Sequence, residues 1–126
     1  MLPISKQPVL RVAARSTDTN SHGDIFGGWL MAQLDIAGSI PAAKLAEGRV
    51  ATVAVNHIQF IQPLFIRDLV SIYAEIVKTG TTSIVVELEV YAERMNAGQT
   101  QNLKVAEARI TYVALDEQGN KRALPN

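Results

Sequence analysis

The spacing of apolar residues along the chain changes period near residue 49. Before that point, residues 26–47 carry apolar side chains at helical intervals. Phe26, Leu30, Leu34 and Ala37 form one stripe, and Gly28, Met31, Asp35, Gly38 and Ala42 form an adjacent one. The spacing predicts a helix over 26–47. Pro41 lies inside it, removes one backbone bond, and is expected to kink the helix or end its regular part. Gly48 is the expected stop. After residue 49 the period is two. Residues 50–61 are β-rich and apolar on both faces near Val53 and Val55, as in a central strand. In 69–78, Val70, Ile72, Ala74 and Ile76 oppose Ser71, Tyr73 and Glu75. In 83–93, Ile84, Val86, Leu88, Val90 and Ala92 oppose Ser83, Glu87, Glu89 and Glu93. In 104–115, Ala106, Ala108, Ile110, Tyr112 and Ala114 oppose Glu107, Arg109 and Thr111. Residues 8–15 read as a first strand and 16–24 as a polar loop. Lys78-Thr79-Gly80-Thr81 reads as a hairpin turn, and 94–102 as a longer polar connection.

One helix followed by four one-sided strands, joined mainly by turns, predicts an α+β fold: a curved antiparallel sheet wrapped around that helix. The small residues Ala106, Ala108 and Ala114 suit close approach of the two layers. At 126 residues the chain reads as a single domain, residues 1–126, large enough for a core and small enough to gain from a partner. Twelve basic and twelve acidic residues cancel, so neither nucleic acid nor an anionic membrane is an expected partner. The absence of cysteine excludes disulfides, a thiolate nucleophile and thiolate metal sites. Two histidines, His22 and His57, are too few for a His-based metal site without several carboxylates, and no metal is expected. The N-terminal residues lack the apolar run of a signal peptide, and no stretch reaches ~18 consecutive apolar residues. A soluble cytoplasmic protein is therefore expected.

Two features of the helix call for chemistry. Asp35 is a lone acid in an almost wholly apolar stretch, and burying an unpaired carboxylate costs several kcal/mol. Seven and eight residues earlier stands the pair Gly27-Gly28, at the helix start.

The string Asp-Thr-Asn-Ser-His-Gly-Asp-Ile-Phe-Gly-Gly-Trp-Leu-Met-Ala-Gln-Leu-Asp (18–35), followed by Gly-Arg-Val-Ala-Thr-Val-Ala-Val (48–55), is similar to the hotdog-fold acyl-CoA thioesterases, and most to their bacterial YciA-like branch. The resemblance extends over nearly the whole chain, including Phe60 with Pro63, Asp68-Leu69-Val70 and Gly80-Thr81-Thr82-Ser83. It implies a hotdog fold, hydrolysis of short- to medium-chain acyl-CoA to CoA and a carboxylic acid, dimers as the catalytic unit and often a trimer of dimers, a hexamer. It implies no separate cofactor, since coenzyme A is part of the substrate. Two positions depart from the family's pattern. Pro41 interrupts a helix that ordinarily continues, and Arg67 holds a turn position where glycine is common. The sequence ends at Asn126 without a long C-terminal helix, and a CoA entrance without that cover is expected.

Thioester hydrolysis needs an activated water or nucleophile and a site for the carbonyl oxygen as it gains charge. The thiol ionises near pH 8.5 and leaves without a strong acid. Amides at a helix N-terminus are unsatisfied and carry the positive end of the dipole, and glycine at 27 and 28 lets substrate approach them. Asp35 is the candidate general base or nucleophile. From Gly27 to Asp35 is eight residues, about 12 Å along a helix, whereas reacting groups must meet within ~3–3.5 Å. If both serve one centre, Asp35 of one subunit works with Gly27 and Gly28 of another, across a two-fold axis.

Asp24 either caps the helix or touches the thioester or water, and Asn20 either forms the turn or orients them. Trp29 and Met31 are core or acyl-pocket wall; His22 is an exposed loop residue and His57 a strand residue on the polar face. Thr52, Thr82 and Ser83 are candidates for the pantetheine arm, and Arg49, Lys78 and Lys104 for the CoA phosphates. Two other functions fit the fold. A hydroxyacyl thioester dehydratase would want a histidine with an acid, and none lies in the helix. A non-catalytic acyl-CoA-binding or regulatory module would tolerate loss of Asp35.

Overall fold

The computed structural model describes residues 6–126; Met1 to Ser5, part of the segment searched above for a signal sequence, lie outside the described residues. Strand β1 (Leu10–Ala13) leads through a single 3-10 turn (Ser16–Asp18) to helix α1 (Gly27–Ala46). Strands β2 (Val50–Phe60), β3 (Leu69–Thr79), β4 (Ser83–Asn96) and β5 (Gln99–Ala114) follow. All pair antiparallel in one sheet of order β1-β3-β4-β5-β2. The α+β reading, a sheet wrapped around one long helix, is what the chain adopts. No helix of the described residues is long and apolar enough to cross a membrane.

The core lies between α1 and one face of the sheet. Leu30, Leu34, Ala37, Gly38, Ala42 and Ala46 of α1 are buried against Val70, Ile72, Ile84, Val86, Leu88, Val90, Ala106, Ala108, Ile110 and Tyr112. These are the inward positions that the period of two selected. The tightest approach is at Gly38, where a Cβ would come within 2.4 Å of the Tyr112 hydroxyl.

Four expectations are corrected. The strand from residue 50 is at the edge of the sheet, not its centre, and Val53 and Val55 are 52% and 46% exposed. Its apolar residues alternate irregularly because the pairing with β5 slips at two bulges, between Thr52 and Ala54 and between Val55 and His57. Residues 94–102 are not a loop: β4 and β5 run on to the pair Asn96↔Gln99, joined by Ala97 and Gly98 with φ of 52° and 81°. Both central residues are left-handed, as a two-residue hairpin turn requires. Of the two outcomes expected at Pro41, a kink or an end, the second is corrected: the helix continues to Ala46. Hydroxyls supply extra bonds to nearby helix carbonyls: Ser39 Oγ donates to Ile36 at 2.7 Å and Tyr112 to Asp35 at 2.8 Å. Finally, the left-handed residue that stops α1 is Glu47 (φ 55°), not Gly48. Gly48 instead leaves room for Arg122, whose Nη2 lies 2.8 Å from where its Cβ would be.

Candidate active site

Asp35 is half-buried, with Thr52 of β2 beside it: the Thr52 hydroxyl donates to Asp35 Oδ1 at 2.6 Å. The helix turn that carries Asp35 is held from below by Tyr112, whose hydroxyl donates to the Asp35 carbonyl. Burial, then the Asp35 charge, push the Tyr112 phenol well above its ordinary value, so it remains a donor. Asp35 is thus neither unpaired nor fully buried. Apolar residues on the same helix, Met31, Ile36 and Ile40, are exposed in the single chain.

At the other end of α1, Phe26 is the N-cap and no side chain caps the helix, so Asp24 does not perform that role. Trp29 and Leu30 amides both reach the Phe26 carbonyl, and the Gly27 and Gly28 amides have no acceptor within the helix. A Cβ on Gly28 would meet nothing within 4 Å, and one on Gly27 would rest at ordinary contact, 3.5 Å, on the Phe60 ring. Neither glycine serves tight packing against the sheet; Gly38 does. Asn20 shapes the preceding loop, its Oδ1 accepting the amides of His22 (2.9 Å) and Asp24 (3.1 Å).

The candidate residues fall into two groups. Asp35, Thr52, Arg49, Thr82 and Ser83 lie toward one end of the sheet, where β2 begins beside the end of β5. Val50 pairs with Ala114, whose amide reaches the Thr82 carbonyl, and Ser83 pairs with Val113. Asn20, Asp24, Gly27 and Gly28 lie toward the other, near Phe60. Thr52 and Phe60 are eight positions apart, about 25 Å of strand. Within the single chain the two groups of candidates are therefore well separated. Of the phosphate candidates, Lys104 is held by Glu89 (3.1 Å) and Glu107 (3.3 Å) on the face away from the helix. Arg49 approaches the Glu117 carbonyl at 3.5 Å. Lys78 borders a shallow depression with Asn56, Val77 and Arg109. A larger concavity, about 480 Å³, opens on the sheet's outer face around His57, Tyr73, Glu75, Glu87 and Arg109, remote from Asp35.

Residues 22–99 match the sequence model of the thioesterase superfamily. The chain belongs to this superfamily. Among its relatives, the acyl-CoA thioester hydrolase YciA of Escherichia coli (strain K12) is 47% identical over 118 residues, 93% of this chain and 89% of the relative. Cj0915, a hexameric hotdog fold thioesterase of Campylobacter jejuni, superposes with a TM-score of 0.94 at 40% identity, covering 98% of this chain and 93% of that one. The hexameric thioesterase y2039 from Yersinia pestis gives 0.89 at 45% identity, covering 99% of each.

Within this thioesterase, sequence reasoning missed Tyr112 as a support of the Asp35 turn. Thr52, read as a candidate for the pantetheine arm, has its hydroxyl on the Asp35 carboxylate, a contact that sequence reasoning also missed. Gly38 was the available signal: a glycine inside a helix, one turn from the acid, marks a close neighbour.

Proposed function

We infer that the protein is an acyl-CoA thioester hydrolase acting on short- to medium-chain acyl groups, with its reaction centre assembled from two subunits. The observation that carries this reading is the separation of the two halves: a tethered carboxylate toward one end of β2, and free helix-start amides toward the other. A dimer with antiparallel helices brings each Asp35 to the neighbour's Gly27 and Gly28. The unpaired edge of β2, with Val53 and Val55 exposed, and the exposed Met31, Ile36 and Ile40 offer the surface for that contact. The hexameric neighbours support three such dimers in one assembly.

In this centre the Gly27 and Gly28 amides receive the carbonyl oxygen as it becomes an oxyanion. Thr52 fixes one carboxylate oxygen of Asp35, which orients the other toward the attacking water or toward the thioester carbon itself. Coenzyme A then leaves as the thiolate; on the route by direct attack the acyl group remains on Asp35 as a mixed anhydride, which water hydrolyses to release the acid. Asn20 and Asp24, next to the glycines, contribute polar groups near the carbonyl. Thr82, Ser83 and Arg49 flank the CoA path on the Asp35 side, and Met31 lines the acyl side. The test is release of free thiol from a panel of acyl-CoAs by the wild type and Asp35→Ala. The variant is expected to lose most turnover, on the order of 10²-fold or more, while remaining folded. Undiminished turnover in folded Asp35→Ala would remove that residue from the mechanism.

A further inference from the structure

The loop between β2 and β3, residues 61–68, is gripped by one ion pair, a buried carboxylate with a partly exposed guanidinium. Asp68 is 1% exposed, and its oxygens accept three bonds. Arg94 Nε donates to Oδ1 at 3.0 Å, Arg94 Nη2 to Oδ2 at 2.7 Å, and the Phe65 amide to Oδ2 at 2.9 Å. The same Nη2 also donates to the Pro63 carbonyl at 3.0 Å, and the guanidinium lies 4.5 Å from the Phe65 ring centroid. A pair of this kind adds little net stability over apolar packing, yet it fixes geometry through planar, paired bonds. What it fixes here is a loop bonded to the lead-in of α1. Ile25 donates its amide to the Leu64 carbonyl at 2.9 Å, and Asp24 and Phe65 form an antiparallel bridge. Beyond them, the Arg67 amide bonds the Ala14 carbonyl at 2.9 Å, and the Ala14 amide bonds the Asp68 carbonyl at 3.0 Å. Asp24 and Ile25 stand three and two residues before Gly27.

We propose that Asp68 and Arg94 are positioning residues of the thioesterase: through Pro63, Phe65 and the Leu64–Ile25 bond they aim the first turn of α1, and with it the Gly27 and Gly28 amides, at the reacting carbonyl. This rests on the assignment of those amides as the oxyanion site. Neither Asp68 nor Arg94 needs to touch substrate. The effect is on kcat, because the amides work hardest in the transition state, and a displacement of about 1 Å there is worth up to roughly 10²-fold.

Two variants test the proposal. Arg94→Lys keeps the charge opposite Asp68 but cannot serve both carboxylate oxygens, the Pro63 carbonyl and the Phe65 ring together. Phe65→Leu removes the ring and leaves every charge. Each is purified, checked for its assembly state and thermal midpoint, and assayed for kcat and KM beside Gly28→Val. Expected for at least one correctly assembled variant is a fall in kcat of about ten-fold or more with KM unchanged. If both hold kcat within two-fold of wild type, or if only KM rises, the positioning role is overturned. Gly28→Val separates the two levels. Full turnover in it sinks the oxyanion assignment itself. An inactive Gly28→Val beside fully active Arg94 and Phe65 variants sinks the positioning role alone.

Discussion

Asp35 is seated by two residues far away in sequence, Thr52 and Tyr112, 17 and 77 positions along the chain. Its presence as a lone acid was legible, because one charge in an apolar helix stands out. Its partners were not, because hydroxyl bonds between elements leave no periodic trace. Tyr112 gives a pH prediction. Its folded pKa is raised by burial and by Asp35, while a tyrosine in the unfolded chain ionises near pH 10. The contribution is fully present below about pH 10 and is lost as pH rises through the folded value. Urea midpoints should fall above about pH 10, and Tyr112→Phe should flatten that slope. At neutral pH the same variant should cost about 1 kcal/mol, the bond to the Asp35 carbonyl. At Arg67 the resemblance marked a glycine position, and the reason is now visible: its φ is 74°, in the left-handed region.

Among elements, the strands with one buried face were readable in type and in facing, since alternation of Val70, Ile72, Ile84, Val86 and Leu88 survives any tertiary context. Strand order was not. β2 is apolar on both faces, the pattern of a central strand, yet it stands at the edge with Val53 and Val55 exposed, so its composition gave the wrong signal. The β4–β5 turn was hidden by Ala97, which occupies a left-handed position where Asn or Gly is the usual marker. The end of α1 depends on a residue that no local pattern indicates. Arg122 donates from Nη2 to the Ala46 carbonyl at 2.7 Å and from Nε to Leu115 at 2.8 Å, closing the helix C-terminus with a cation. Arg122→Ala should lower unfolding stability by roughly 1–2 kcal/mol, read from chemical denaturation, with little change in KM.

For the whole molecule, the eight-residue separation of Gly27 from Asp35 calls for a second copy if both serve one reaction centre. The structure adds that Thr52 and Phe60 place the two halves toward opposite ends of one strand. In the proposed assembly the second wall of the acyl pocket belongs to the neighbour, which is why one chain's sequence does not describe it. Subunit mixing tests the arrangement. Asp35→Ala and Gly28→Val subunits, each inactive alone, are denatured together and reassembled. Random pairing makes half the dimers mixed, each with one intact centre, so about a quarter of wild-type turnover should return. Centres contained within one chain would return none.

The bare outer edge of β2 has a further consequence. With the proposed two-subunit centre, a lone chain carries only part of the machinery, and turnover per chain becomes a function of protein concentration. Dilution below the dissociation constant of the pair would extinguish catalysis without unfolding anything, and an acyl-CoA ligand bridging both copies would restore it by mass action.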